Sequence, residues 1–170
     1  MPDSPSAPDS LLRREIRQNK PFRSPAHEAS IGLMRTADLI QRNYTRVIEP
    51  HGLTIQQYNV LRILRGAGDA GLPTLEIGER MIEQTPGITR LLDRLELKKM
   101  VRRERSLTDR RQVFCWITAA GLQLLADIDG PIDRAGEEAF VCLEEGEVRS
   151  LIGKLEKLRQ TLNGMLALEA

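Results

Sequence analysis

Residues 87–121 read GITRLLDRLELKKMVRRERSLTDRRQVFCWITAAG, and the period of their apolar residues changes partway along. Ile88, Leu91, Leu92 and Leu95 recur at helical spacing, with Thr89, Arg90, Asp93 and Arg94 on the opposite side. From Val101 the period drops to two. Residues 101–105 and 112–118 read as strands, the second with Val113, Cys115 and Ile117 alternating with Phe114, Trp116 and Thr118. The segment SLTDRR between them is charged and polar, as a turn requires. A helix running straight into a two-stranded ribbon decides the fold.

Working upstream, Thr85 is placed to cap that helix, and Pro86 suits its first turn, where the missing N–H has no intrahelical partner to lose. The reading helix is therefore expected over residues 85–98. Thr74 begins a shorter helix, LEIGERMI, and residues 83–86 break the two apart. Two short helices joined by such a turn form a helix-turn-helix, and the ribbon beyond it is a wing.

Before this pair, Thr54 and Gln57 have the spacing of a reciprocal capping box. The helix they open presents Ile55, Tyr58, Leu61, Ile63 and Leu64, and the glycine-rich GAGDAG stops it. Earlier still, Leu33, Ala37, Ile40, Tyr44 and Val47 step by 4, 3, 4 and 3, a single helical stripe closed by Pro50 and Gly52. Residues 1–25 hold five of the nine prolines and four serines, which predicts a flexible arm with one short helix over residues 11–17.

Downstream, one helix starts at Ala119 and carries Leu125, Ile128, Ile132, Ala135, Ala139 and Cys142. Gly130–Pro131 is expected to kink it. A last helix carries Val148, Leu151, Leu155, Leu158, Leu162 and Met165. Both stripes step by 3 and 4, the seam helices use against other helices. They could pack into the chain's own core. The helix-turn-helix module is already closed by Thr118, however, and the preferred reading is a homodimer.

The expected fold is mainly α with a small β-wing (α+β): a winged helix-turn-helix plus a helical dimerisation lobe. Its parts are an arm over 1–25, an N-terminal dimerisation helix over 26–52, a winged helix-turn-helix domain over 53–118 and C-terminal dimerisation helices over 119–170.

The formal net charge of +1 conceals a segregation. Residues 85–111 carry nine Lys/Arg against four Asp/Glu, a net +5, whereas residues 119–170 carry five against ten, a net −5. A polyanion is drawn to the first stretch and repelled by the second, unless the two mix in space. No apolar run approaches the ~18 residues of a membrane span, and the N-terminus has no signal-peptide core, so a cytoplasmic location with no membrane partner is expected. Cys115 and Cys142 form neither a disulfide framework nor zinc spacing, and both sit where a small buried hydrophobe belongs. His27 and His51 have no ligand partner, so neither a metal nor another cofactor is expected.

The stretches LTIQQYNVLRIL, GITRLLDRLELKKMVRRE and TDRRQVFCWITAAG, in this order and spacing, resemble the MarR (multiple-antibiotic-resistance regulator) family from Leu53 to Gly121. The last carries the family's wing pattern of Asp-x-Arg, a strand, and a Thr opening the next helix. The resemblance implies double-stranded DNA as partner, with the reading helix in the major groove. Thr85, Pro86, Gly87, Thr89 and Arg90 would face bases and phosphates, and Arg94 would touch backbone or brace the wing. Asp109 would hold Arg110 and Arg111, with Arg111 entering the minor groove. Arginine suits both roles, donating two bonds to guanine or sitting in a narrow, strongly negative groove. The alternative for Arg90 is a solvated face with an Asp93 partner.

The same resemblance implies a repressor on a pseudo-palindromic operator, with activation also known in the family. It further implies release by a small aromatic or lipophilic acid, with Tyr44, Arg46, His51 and Tyr58 as candidate pocket residues. An enzyme is not expected, because no nucleophile–base pair, P-loop or dinucleotide fingerprint is present. A winged helix turned protein-interaction module would predict a reading helix and wing without Arg90, Arg94, Arg110 and Arg111.

Overall fold

Thr54 and Gln57 form the expected capping box: the Thr54 hydroxyl accepts from Gln57 N–H (3.2 Å) and the Gln57 side chain accepts from Thr54 N–H (3.1 Å). Gln57 is thereby satisfied although buried. The computed structural model describes residues 10–83, 87–106, 108–109 and 111–168. Its helices are α1 (Leu11–Glu15), α2 (Pro25–Ile48), α3 (Ile55–Ala67), α4 (Thr74–Glu79), α5 (Ile88–Leu97), α6 (Ala119–Ala139) and α7 (Glu145–Ala167). Its strands are β1 (Leu72–Pro73), β2 (Val101–Arg105) and β3 (Val113–Ile117).

The chain divides into two compact units between Asn43 and Tyr44. In the first, α1 matches the short helix expected in the arm. Leu33 and Ala37 of the α2 stripe are exposed, as are Met34 and Leu39. The last turn of α2, from Tyr44, belongs to the second unit, where Ile48 is fully buried.

The second unit holds the core. Val60, Leu61 and Leu64 of α3, Ile77 of α4, Leu92 and Leu95 of α5, Val101 of β2, Cys115 of β3, and Leu125 and Ile128 of α6 are all fully or almost fully buried. The wing is three-stranded rather than two-stranded. β1 pairs antiparallel with β3, Leu72 opposite Cys115, and β2 pairs on the other side, Val101 opposite Ile117 and Arg105 opposite Val113. A two-residue strand shows no alternation, so only its long-range partner reveals it.

Three expectations need correction. α4 ends at Glu79 rather than running through Ile82. The α6 stripe meets its need inside the chain: Leu125, Ile128, Ile132 and Ala135 are buried against the same core as α3, so this seam does not await another helix. Cys142 lies beyond the end of α6 and is exposed, while Cys115 is buried. α6 runs through Pro131 as one element, although proline leaves the carbonyl one turn back without its helical donor. α7, by contrast, buries none of its residues.

The end of α5, the start of β2 and the start of α6 are tied at one point. Lys99 takes a left-handed backbone (φ 60°), its N–H bonding Glu96 O (2.8 Å) and that of Met100 bonding Leu95 O (2.9 Å), a Schellman stop. Thr118 then donates its hydroxyl to Lys99 O (2.7 Å) and its N–H to Met100 O (3.0 Å), while its hydroxyl oxygen accepts from Gly121 N–H (3.2 Å) to cap α6. Gly121 permits this approach: a Cβ there would lie 2.6 Å from Met100 O and 2.7 Å from an Ile117 side-chain carbon.

Gly121→Ala is therefore expected to destabilise the protein. Overpacking costs roughly 1–3 kcal/mol, and alanine recovers at most about 1 kcal/mol of helix propensity. A lower midpoint in urea denaturation checks this; an unchanged or higher midpoint refutes it.

Candidate functional site

α5 is anchored by one face and presents the other. Leu92 and Leu95 are fully buried and Ile88 and Leu91 partly so, which leaves Thr89, Arg90 and Arg94 exposed. The helix begins later than expected, at Ile88. Gly87 is its N-cap at φ 102°, a left-handed backbone that L side chains rarely adopt, and it offers no side-chain cap. Thr85 and Pro86, expected to open this helix, lie outside the described residues. So does Arg110.

The charged side of α5 is sorted by β2. Arg103, only 22% exposed, bonds Glu96 through Nε (2.8 Å) and Nη2 (2.5 Å) and pairs with Asp93 through Nη2 (2.7 Å). Its guanidinium pKa is held up, chiefly by the Glu96 hydrogen bond, so the brace is charged at any physiological pH. Asp93 is thus engaged by the wing and not by Arg90. Among the described residues Arg90 and Arg94 have no ion-pair partner, and two cations remain uncompensated on the exposed face. At the other end of α5 the Lys98 ammonium donates to Gly52 O.

The wing turn is built on two side chains. Ser106 Oγ accepts from Thr108 N–H (3.2 Å) and Asp109 N–H (3.2 Å), and Asp109 Oδ1 accepts from Arg111 N–H (3.0 Å). Asp109 O then accepts from Gln112 N–H (2.9 Å), and Gln112 O from Ser106 N–H (3.0 Å). The Arg111 side chain is 95% exposed, its Nε 3.7 Å from Asp109. Asp109 therefore shapes the turn that projects Arg111. At the wing's root Trp116 donates to Asp69 O (3.0 Å) and carries the Arg102 guanidinium 4.1 Å from its ring.

A cavity of about 550 Å³ lies among the last turn of α2, α3 and α6. Tyr44 and Tyr58 line it, as expected; Arg46 and His51 are not among its lining residues. Ile48, Ile55, Ile132 and Phe140 supply the rest of its apolar wall, with Asn59, Arg62, Asp133 and Glu137 as polar groups. Burial pushes the Tyr58 phenol above its ordinary range, with Arg62 acting in the opposite sense, so it stays protonated at neutral pH. Ile82, between α4 and α5, also lines the cavity.

Sequence reasoning missed Arg103, Asp133, Glu137 and Ile82 as site residues. The run VRRER contains three arginines with nothing to say which one turns inward. In the ladder, Arg103 lies opposite Cys115, the strand's fully buried residue, and shares that face of the sheet.

Residues 53–113 match the MarR family pattern. The chain is 33% identical over 128 residues to the HTH-type transcriptional regulator MhqR of Bacillus subtilis (strain 168), spanning 75% of this chain and 87% of that protein. It is 37% identical to the crystal structure of a MarR transcription factor from Planctomyces limnophilus, at a TM-score of 0.63 over 80% of this chain and 98% of that one. It shares its fold with the S. aureus MepR–DNA complex, at 21% identity and a TM-score of 0.71, over 78% of this chain and 96% of that one.

Replacing Arg103 removes hydrogen bonds between charged groups that join α5 to β2. Arg103→Ala is expected to destabilise the protein by about 1–3 kcal/mol. Arg103→Lys should recover only part, because one ammonium cannot reproduce the guanidinium fork. Chemical denaturation of the three proteins decides it; equal stability of wild type and Arg103→Ala would show that the brace contributes nothing.

Proposed function

Since this chain belongs to the MarR family of transcriptional regulators, we propose that it binds a pseudo-palindromic operator in double-stranded DNA as a homodimer and represses by occlusion. It is a transcription regulator and not an enzyme. The observation that carries the reading is the division of labour on α5. Arg103 engages both Asp93 and Glu96, while Arg90 and Arg94, without an ion-pair partner among the described residues, face outward beside a wing whose turn projects Arg111.

In this reading α5 enters the major groove. Thr89, Arg90 and the start of the helix at Gly87 meet bases and phosphates, joined by the neighbouring Thr85 and Pro86. Arg94 contacts the backbone one turn further on. Arg111, with Arg110 beside it, reaches the minor groove, where phosphates on both sides concentrate negative potential. Asp109 serves the DNA indirectly, by fixing the turn. Residues 53–118 thus form the reading module. The −5 charge of residues 119–170 repels DNA and leaves those helices to other work.

That work is pairing. α7 exposes Ile152, Leu158, Leu162, Met165 and Leu166, a row of apolar side chains that a lone chain leaves in water. A second copy covering this row, with α2 from the 26–52 segment contributing, would place two reading helices about one DNA turn apart. Repression then needs nothing beyond the bound dimer. A small lipophilic molecule in the cavity would release the DNA, a reading supported by Ile82, which lies at the cavity's exposed rim in the segment between α4 and α5.

Titration onto DNA from the protein's own promoter region tests the DNA reading. Wild type is expected to bind one site per dimer, with affinity falling roughly 10³-fold or more between 50 and 200 mM salt if about six phosphates are contacted. Arg90→Ala and Arg111→Ala should each weaken binding without shifting the denaturation midpoint. Binding that ignores salt and sequence would refute the reading.

The pairing is tested by Leu158→Glu combined with Leu162→Glu. Sedimentation should show wild type at twice the chain mass and the variant at the chain mass, with helicity by circular dichroism retained. A variant that stays dimeric would place the interface elsewhere.

A further inference from the structure

The cavity's walls are apolar and aromatic, but its charged groups are unequal in number. Arg62 supplies one positive charge, and Asp133 and Glu137 supply two negative ones. The neighbouring Arg65 does not redress this, since it is held by Asp129 through two hydrogen bonds (2.6 and 3.1 Å) and those two charges cancel. Arg62 itself lies with its guanidinium 5.9 Å from the Tyr58 ring centre and forms no ion pair among the described residues. Asp133 and Glu137 likewise have no ion-pair partner among them.

We propose that the cavity takes a lipophilic organic cation, an aromatic or alkyl amine, rather than an acid; this rests on the cavity's being the effector site. A carboxylate ligand entering here would meet two fixed carboxylates and could be compensated by only one guanidinium. An ammonium group would pair with Asp133 and Glu137, one turn apart on α6, while its apolar body lies against Tyr44, Tyr58 and Phe140. A volume of about 550 Å³ lies within the usual range for small-molecule sites and is ample for a bicyclic amine.

The test uses two probes of matched shape and opposite charge, 1-naphthylmethylamine and 1-naphthoate, in calorimetric titration of the dimer at pH 7. The amine is expected to bind at least ten-fold tighter than the acid. Asp133→Asn combined with Glu137→Gln should lower amine affinity about ten-fold and leave the denaturation midpoint in place, because both side chains are on the exposed side of α6. Gly136→Leu, which puts a side chain beside the Tyr44 hydroxyl and into the cavity, should abolish binding of the amine while far-ultraviolet circular dichroism is retained. Naphthoate binding as tightly as the amine, amine affinity indifferent to the double substitution, or binding of neither probe would each overturn the proposal. Gel-shift measurements with the same probes separate the two readings. An amine that binds through Asp133 and Glu137 without displacing DNA supports the ligand class and removes the effector role. Displacement by naphthoate alone, lost in Arg62→Ala, keeps the effector role and overturns the ligand class.

Discussion

The structure depends on a junction of four residues. Lys99 and Met100 end α5 and begin β2, and Thr118 and Gly121 end β3 and begin α6. One hydroxyl and two backbone groups bind these four chain directions together. The consequence is geometric: the helix that would read DNA, the wing beside it and the helix that leads away from both share an origin. A shift of α6 cannot leave α5 or the wing untouched. Lys99 accepts a left-handed backbone to make the junction, at a strain of roughly 1–2 kcal/mol against glycine. The hydrogen bonds it permits offset that strain.

The Arg103 brace extends the same logic to charge. A positive surface suited to a polyanion needs its own carboxylates out of the way, yet α5 carries Asp93 and Glu96. Folding Arg103 over both holds them on the protein side and offsets one of their two charges, and among the described residues it leaves Arg90 and Arg94 without an ion-pair partner on the other face. Among the nine cations of residues 85–111, Arg103 thus goes into an internal tie, and Arg90 and Arg94 form an outward pair. The segregation visible in the sequence does not blur where it matters most.

Elements whose cause is local were legible in the sequence. The Thr54–Gln57 box, the apolar face of α5, the alternation of β3 and the Thr118 cap all follow from neighbours within four residues. What escaped depends on distant partners. β1 exists because β3 offers it an edge, and the α6 stripe is buried because α3 lies opposite; a seam for a partner and a seam for one's own core have the same period. The four candidate pocket residues came from the family resemblance; Tyr44 and Tyr58, which lie on apolar helix stripes, line the cavity, and Arg46 and His51 do not. Asp133 and Glu137 entered the sequence reading only through the net −5 of residues 119–170, and only the packing of α6 near Tyr58 brings them to a cavity.

The position of Ile82 explains how such a cavity could act on DNA without touching it. α4 ends at Glu79, a turn earlier than its apolar sequence suggests, and that leaves Ile82 outside the helix, exposed at the cavity's rim. The same short segment continues into the turn that starts α5, and Gln56 of α3 holds it by a contact with Glu83 (3.4 Å). Residues 82–83 therefore stand between the rim of the cavity and α3. A ligand touching Ile82 would act on the segment between α4 and α5, while Leu92 and Leu95 keep the body of α5 fixed in the core. The N-terminal end of the helix is thus the part free to respond, and it is also the part whose residues would face bases. A ligand could move that end only in so far as it binds one position of Ile82 more tightly than another.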